Sequence, residues 1–297
     1  MSFQYRLADT QLNQWQQLAR RFFPVLCQPR AEDSHKGSHG TLGVVGGCES
    51  MSGAIVLAGS AALKSGCGKV WLGFLQNTLP VPLLPQQPEL MLATEQQLLA
   101  RHDINGWVVG CGLGTSQEAF ECVDTLLVRT SQQPLLLDAD ALNLLAVHPH
   151  WQASLFNRNE PAVITPHPLE AARLLGCTVA DIQANRPAAA GQLATRFQAW
   201  VVLKGHHTLV SSPTGQLMQN PSGNPGLATA GSGDVLAGII GSLMIQGLPT
   251  MQAVCGGVWL HGIAAELLAA NHIGPVGLCA SEIVDAVRWL RNRLIIS

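Results

Sequence analysis

Asn220-Pro-Ser-Gly-Asn-Pro-Gly-Leu-Ala-Thr-Ala-Gly-Ser-Gly-Asp234 runs directly into an apolar stretch with the pattern of a helix. Gly231, Ser232 and Gly233 let the backbone turn closely, with amide groups free to face an anion. The helix that begins there turns the positive end of its dipole toward the same place. Asp234 falls in its first turn. A lone carboxylate there is a common helix-start residue. Behind so long a glycine-rich approach, a phosphate site is the better reading.

Upstream of this stretch, short apolar runs alternate with helical patterns. Leu42-Gly43-Val44-Val45-Gly46, Lys69 to Leu75, Trp107-Val108-Val109-Gly110, Leu135-Leu136-Leu137, Ala162-Val163-Ile164 and Trp200-Val201-Val202-Leu203 read as buried strands. Helices are expected from Met51 to Ser65, from Ser116 to Thr130, and onward from Asp140 and Pro168. This alternation predicts an α/β fold with a mainly parallel sheet covered on both faces. The rhythm then changes. Thr208–Ser211 and Gln216–Met218 flank Ser212-Pro213-Thr214-Gly215, the signature of a β-hairpin. Three helical patterns come after it, Gly233 to Ile245, Met251 to Asn271 and Ser281 to Leu294.

At the other end, Leu12, Trp15, Leu18 and Phe22 fall at helical spacing behind Asp9 and Thr10, which can cap. This first helix is expected to pack against the main domain or a neighbouring subunit. No linker or repeat divides the rest of the chain. The expected organisation is an appendage over residues 1–33 and one domain over 34–297.

Hydrophobic residues make up 47% of the 297 and charged residues 12%, with a formal net charge of -2. That balance suits a large core, with some surface buried between subunits. With no basic run, binding to nucleic acid is not expected. The N-terminus lacks the pattern of a signal peptide. The uncharged run from Val235 to Ile245 is well short of the ~20 residues that span a bilayer. Eight scattered cysteines form no CxxC pair and read as reduced core thiols, which suits a cytoplasmic location.

Asn224 to Asp234 resembles the anion-hole signature of ribokinase-like enzymes, and more narrowly that of NAD(P)H-hydrate dehydratases. The narrower resemblance rests on further motifs in order: His35-Lys36-Gly37, Met51-Ser52-Gly53-Ala54, Pro88-Glu89-Leu90-Met91 and Gly110-Cys-Gly-Leu-Gly114, then Leu137 to Asn143, Thr165-Pro-His-Pro168 with Glu170, and Lys204-Gly-His-His-Thr208. Ser38, Leu227 and Ala230 depart from the family pattern without removing a reactive group.

The resemblance implies a three-layer α/β/α ribokinase-like fold and ADP- or ATP-dependent dehydration of the hydrated cofactors NADHX and NADPHX. It assigns Lys204, Gly205, His206, His207, Thr208 and Gly233 to the AMP portion of the nucleotide. Ala54, Gly114, His167 and Asp234 would face the hydrate. Asp234 would be the general base, with Gly231, Ser232 and Gly233 stabilising the transferring phosphoryl. Mg²⁺ is expected to arrive on the nucleotide phosphates, with no protein metal site. A homotetramer is a further implication. The stretch before Ser34 is too short for the epimerase domain many members carry, so the chain reads as a stand-alone dehydratase or one cut from a longer protein, paired with a separate or detached epimerase. A ribokinase-like kinase for a vitamin precursor, of the hydroxymethylpyrimidine or hydroxyethylthiazole type, shares the loop and the aspartate and is the alternative.

From the residues themselves, Glu170 reads as a stabiliser of the first helical turn, Asp140 as a helix cap, and Asp138 as a minor contributor. Lys204 and His167 are expected on opposite sides of the anion loop.

Overall fold

A computed structural model describes residues 5–295 of the chain. Nine strands form one sheet: β1 (Thr41–Gly46), β2 (Lys69–Phe74), β3 (Met91–Thr94), β4 (Gly106–Val109), β5 (Leu135–Leu137), β6 (Val163–Ile164), β7 (Trp200–Leu203), β8 (Leu209–Ser211) and β9 (Leu217–Gln219). Their order is β3-β2-β1-β4-β5-β6-β7-β8-β9. All neighbours from β3 to β7 are parallel, and β8 pairs antiparallel with both β7 and β9.

The strands are apolar on both sides because both sides are covered. Val44, Val108 and Leu136 point into one apolar cluster. Their neighbours Val45, Val109, Leu135 and Leu137 point into the other. The first cluster is closed by α1 (Asp9–Phe22), α2 (Ser52–Lys64), α10 (Ser232–Ile245), α11 (Thr250–Ala270) and α12 (Ala280–Leu294). The second is closed by α3 (Glu95–Leu99), α4 (Gln117–Arg129), α5 (Asp140–Val147), α6 (Trp151–Phe156), α7 (Pro168–Leu175), α8 (Val179–Ala184) and α9 (Arg186–Phe197). The result is the expected three-layer α/β/α architecture.

Helix α10 lies against α2 more closely than bulkier residues would permit. A methyl group at Gly238 would strike the backbone carbonyl of Ala58. That close fit fixes where the N-terminus of α10 stands over the sheet.

Several local expectations need correction. The strand β3, the short helices α3, α6 and α8, and helix α9 were not anticipated. Neither Asp9 nor Thr10 caps α1: its N-cap is Ala8, without a side-chain bond. Trp15 and Ala19 are buried, but Leu18 and Phe22 are exposed, because only one flank of the predicted stripe meets α11 and α12. All eight cysteines are free, yet Cys177 and Cys279 are exposed and Cys48 is half-buried. Among the described residues, α11 alone is long and apolar enough to cross a membrane, and 83% of its most apolar window is buried inside the fold.

Candidate active site

The chain leaves β1 toward β2 on one side and reaches β4 on the other. Ligands of open α/β sheets collect at such a reversal, beyond the strand C-termini. The turns after β1, β4, β5, β6 and β7 share that edge, and each carries a residue that the sequence motifs single out. Ala54 follows β1, Gly114 follows β4 and Asp138 follows β5. His167 follows β6, and Lys204 to Thr208 follow β7.

Gly231 is the N-cap of α10, with φ 84, a left-handed conformation that favours glycine. A methyl group there would also strike Leu57. The Ser232 N–H is bonded to Thr229 O at 3.3 Å. No protein group among the described residues accepts from the N–H of Gly233 or Asp234, so these two amides stand open at the positive helix end. Ser232 Oγ lies 3.2 Å from Nε2 of the buried His261. Burial pushes the His261 pKa down to about 4, leaving a neutral imidazole to brace the loop from below.

Beneath the open amides sits a buried ionic cluster. Lys204 Nζ is 2.7 Å from Asp138 Oδ1 and 3.9 Å from Glu170 Oε2. Thr165 Oγ1 donates to the same Asp138 oxygen at 2.7 Å. A Cβ built on Gly233 would lie 3.4 Å from Lys204 Nζ and 3.8 Å from Asp138 Oδ2. Burial lowers the Lys204 pKa, but Asp138 and Glu170 outweigh it and the net shift is upward. The ammonium therefore stays charged.

Asp234, Asp138 and the Cys111 thiol bring their ligating atoms within 4.8 Å of one another. Burial, and then the Asp138 charge, raise the Asp234 pKa to about 6. Burial and the two carboxylates push the Cys111 thiol well up, so it stays protonated. A carboxylate with a pKa near the working pH, set under open amides, is equipped to accept a proton.

His167 is the N-cap of α7. Its Nδ1 accepts from the N–H of Leu169 at 3.1 Å and of Glu170 at 3.3 Å. Glu170 returns the bond by accepting from His167 N–H at 2.7 Å. With Nδ1 an acceptor, the ring proton belongs on Nε2, which lies 3.3 Å from Glu170 Oε1. Glu170 thus stabilises the first turn, as expected, but it is also buried beside Lys204. Burial raises its pKa to about 7 against the pull of Lys204.

Ala54 and Gly114 lie on the other flank of the same edge. A Cβ built on Gly112 would lie 3.0 Å from the Ala54 methyl, and one on Gly114 would lie 3.3 Å from Cys48 Sγ. The Gly114 N–H donates to Asp140 Oδ2 at 2.9 Å. Asp140 is therefore not a cap: the N-cap of α5 is Ala139, and the carboxylate holds the Gly114 turn instead. The turn from Gly110 to Gly114 joins both regions, because Cys111 in its middle faces Asp234.

Lys204 and His167 are not on opposite sides. Their strands, β6 and β7, are neighbours, and both side chains meet Glu170. The division runs instead between Ala54 with Gly114 and the group of His167 with Lys204 to Thr208. Gly205, His206 and His207 form an exposed loop, in which the two histidine rings lean together with centroids 3.9 Å apart. Sequence reasoning missed Arg186, which clamps this loop. Its guanidinium donates to the carbonyls of His206, Leu203 and Lys204. Asp138 was undervalued, since its importance comes from partners distant in sequence.

Residues 42–288 match the family described as NAD(P)H-hydrate dehydratase. The chain is 52% identical to the ADP-dependent (S)-NAD(P)H-hydrate dehydratase of Neisseria meningitidis serogroup B, over 98% of this chain and 97% of that protein. It is 39% identical to the bifunctional NAD(P)H-hydrate repair enzyme of Escherichia coli, over 89% of this chain and 50% of that longer protein. Among solved structures, the ADP/ATP-dependent NAD(P)H-hydrate dehydratase of Bacillus subtilis, co-crystallized with ATP/Mg²⁺, has a TM-score of 0.79 to it. Sequence identity in that pair is 30%, covering 94% of this chain and 97% of the other.

Proposed function

The chain belongs to the NAD(P)H-hydrate dehydratase family, and from that premise we propose that it uses ADP to dehydrate hydrated NADH and NADPH at the edge formed around Asp234. One observation carries the mechanism. The Asp234 carboxyl, with its pKa near 6, stands beside the open amides of Gly233 and Asp234 and the Asp138–Lys204 pair.

Hydroxide is a poor leaving group, and phosphate is a good one. Asp234 takes the proton of the substrate 6-hydroxyl as that oxygen attacks the terminal phosphorus of the nucleotide. The new O–P bond forms as the bridging P–O bond breaks, releasing AMP from ADP, or ADP from ATP. The turn from Gly231 to Gly233 and the dipole of α10 offset charge on the transferring group. The ring-nitrogen lone pair then expels phosphate while C5 loses a proton, restoring the dihydronicotinamide.

Lys204 to Thr208 with Gly233 hold the AMP portion, Ala54 and Gly114 face the hydrate from the other flank, and His167, which meets Glu170 beside Lys204, stands where the two ligands come together. The residues also fit Mg²⁺. Asp138 Oδ2 receives no hydrogen bond among the described residues, while the protonated Cys111 offers no thiolate. Asp138 would hold the ion together with nucleotide oxygens, and the ion supplies charge neutralisation on the phosphates. This donor adds to the expectation that Mg²⁺ arrives with the nucleotide. A homotetramer, pairing with an epimerase, separate or detached, that acts on the same hydrates, a cytoplasmic location and an appendage at residues 1–33 complete the reading. Exposed Leu18 and Phe22 on α1 support an intersubunit contact.

The decisive experiment incubates the protein with chemically prepared NADHX and ADP while following NADH absorbance and AMP. Return of NADH with matching AMP and phosphate supports the reading. A stable phosphate ester without NADH would instead identify a small-alcohol kinase.

A further inference from the structure

The segment His35-Lys36-Gly37 takes no part in the cluster around Asp234. Backbone bonds from Gly68 N to His39 O and from Lys69 N to Gly40 O set it at the N-terminal edge of β1 and β2. A groove of about 1100 Å³ opens there, between residues 25–39, the C-terminal ends of α2 and α10, and α12. Helix α10 separates the two places: Asp234 is in its first turn, and Gln246, on the groove wall, comes just after its last. Fourteen helical residues span about 21 Å.

The groove is cationic. Arg30, Lys64, Arg288 and Arg291 line it, against the carboxylates of Asp33 and Glu89. Lys64 and Arg288 share Asp285, at 2.6 and 3.7 Å. Arg30 and Arg291 have no carboxylate partner among the described residues. Arg30 donates to Gly66 O, while Arg291 donates to Leu26 O at 2.8 Å and to Gln246 Oε1 at 3.5 Å. Neutral oxygens thus take only part of the five donors each guanidinium carries. Arg291 is half-buried, and burial followed by repulsion from Arg30 pushes its pKa down to about 10. On the same wall, His39 Nε2 is buried without a hydrogen-bond partner. A buried cation beside another cation is costly unless a counter-charge is supplied.

We propose that this groove binds a small phosphate-bearing anion, with Arg30 and Arg291 as its charge partners. Paired guanidinium forks match phosphate oxygens two at a time, which favours a diphosphate over a monovalent anion. The site is separate from the catalytic edge and would be occupied independently of it.

Pyrophosphate, titrated calorimetrically into the full chain, tests this. The wild type should show two classes of site, one at the anion loop and one in the groove. Arg30→Gln should weaken one class at least tenfold and leave turnover with NADHX and ADP unchanged. Arg291→Lys should do the same; if it fails to fold, the exposed Arg30 decides alone. A single class in the wild type, or two classes untouched by Arg30→Gln, would overturn the proposal. So would a change of oligomeric state in Arg30→Gln with pyrophosphate binding intact, since the groove would then be a contact between copies.

Discussion

At Asp234, burial and the Asp138 charge raise the carboxyl pKa to about 6. A base must be unprotonated to act, so kcat/KM should rise with pH through about 6 and level off above. A flat profile from pH 5 to 8 would count against Asp234 as the base. Asp234→Asn should lower turnover by about 10²–10⁴ while ADP still binds, measured by NADH recovery and by titration. Lys204 makes a different kind of prediction. Its removal leaves Asp138 buried without its counter-ion, which typically costs about 3–5 kcal/mol. Lys204→Met should therefore unfold at markedly lower denaturant, and adding Asp138→Asn should recover part of that loss. Wild-type stability in the single variant would mean that the pair is solvated. Both groups were visible as residue types. Their pairing was not, because they follow different strands, 66 residues apart.

Among the elements, the loop from Lys204 to Thr208 owes its shape to α9. Arg186, in the first turn of that helix, holds three carbonyls of the β7 end and the loop. Arg186→Met should raise KM for ADP about tenfold, equivalent to about 1.4 kcal/mol, with a smaller effect on kcat. Initial rates at varied ADP would check this, and an unchanged KM would mean that the clamp is dispensable. The approach of α10 to α2 gives a second prediction. Gly238→Ala places a methyl against the Ala58 carbonyl and should cost about 1–3 kcal/mol by overpacking, read from chemical denaturation. Activity should fall too, since Asp234 lies on the same helix about one turn from Gly238. Helix α10 was legible as an apolar run behind glycines. Helix α9 was not, because Arg186 to Phe197 mixes alanine, glycine and polar residues and only its partners reveal a buried face.

For the molecule as a whole, the raised carboxyl groups tie stability to pH. Glu170 and Asp234 have folded pKa values of about 7 and about 6, above their unfolded values. In that window the folded state binds more protons than the unfolded one. Their contribution is therefore full only below their unfolded values of 3.8 and 4.5, and it is lost as pH rises from there through about 6 and about 7. His261 works in the opposite sense: held near 4, it contributes above its unfolded value of 6.5 and loses that contribution as pH falls. Glu170→Gln should consequently lose less Tm than the wild type between pH 5 and 8, in melts without ligand. An equal loss would remove Glu170 as a source. The layered α/β fold, the hairpin and the gathering of the motif residues past the strand C-termini were legible in sequence alone, since apolar period, glycine placement and helix starts are local signals. Only tertiary structure decided which of those residues meet: that Lys204 turns inward to Asp138, that His167 caps its own helix, and that Asp140 holds the Gly114 turn. Those outcomes depend on strand order and burial, which set distance and dielectric between groups that no local pattern brings together.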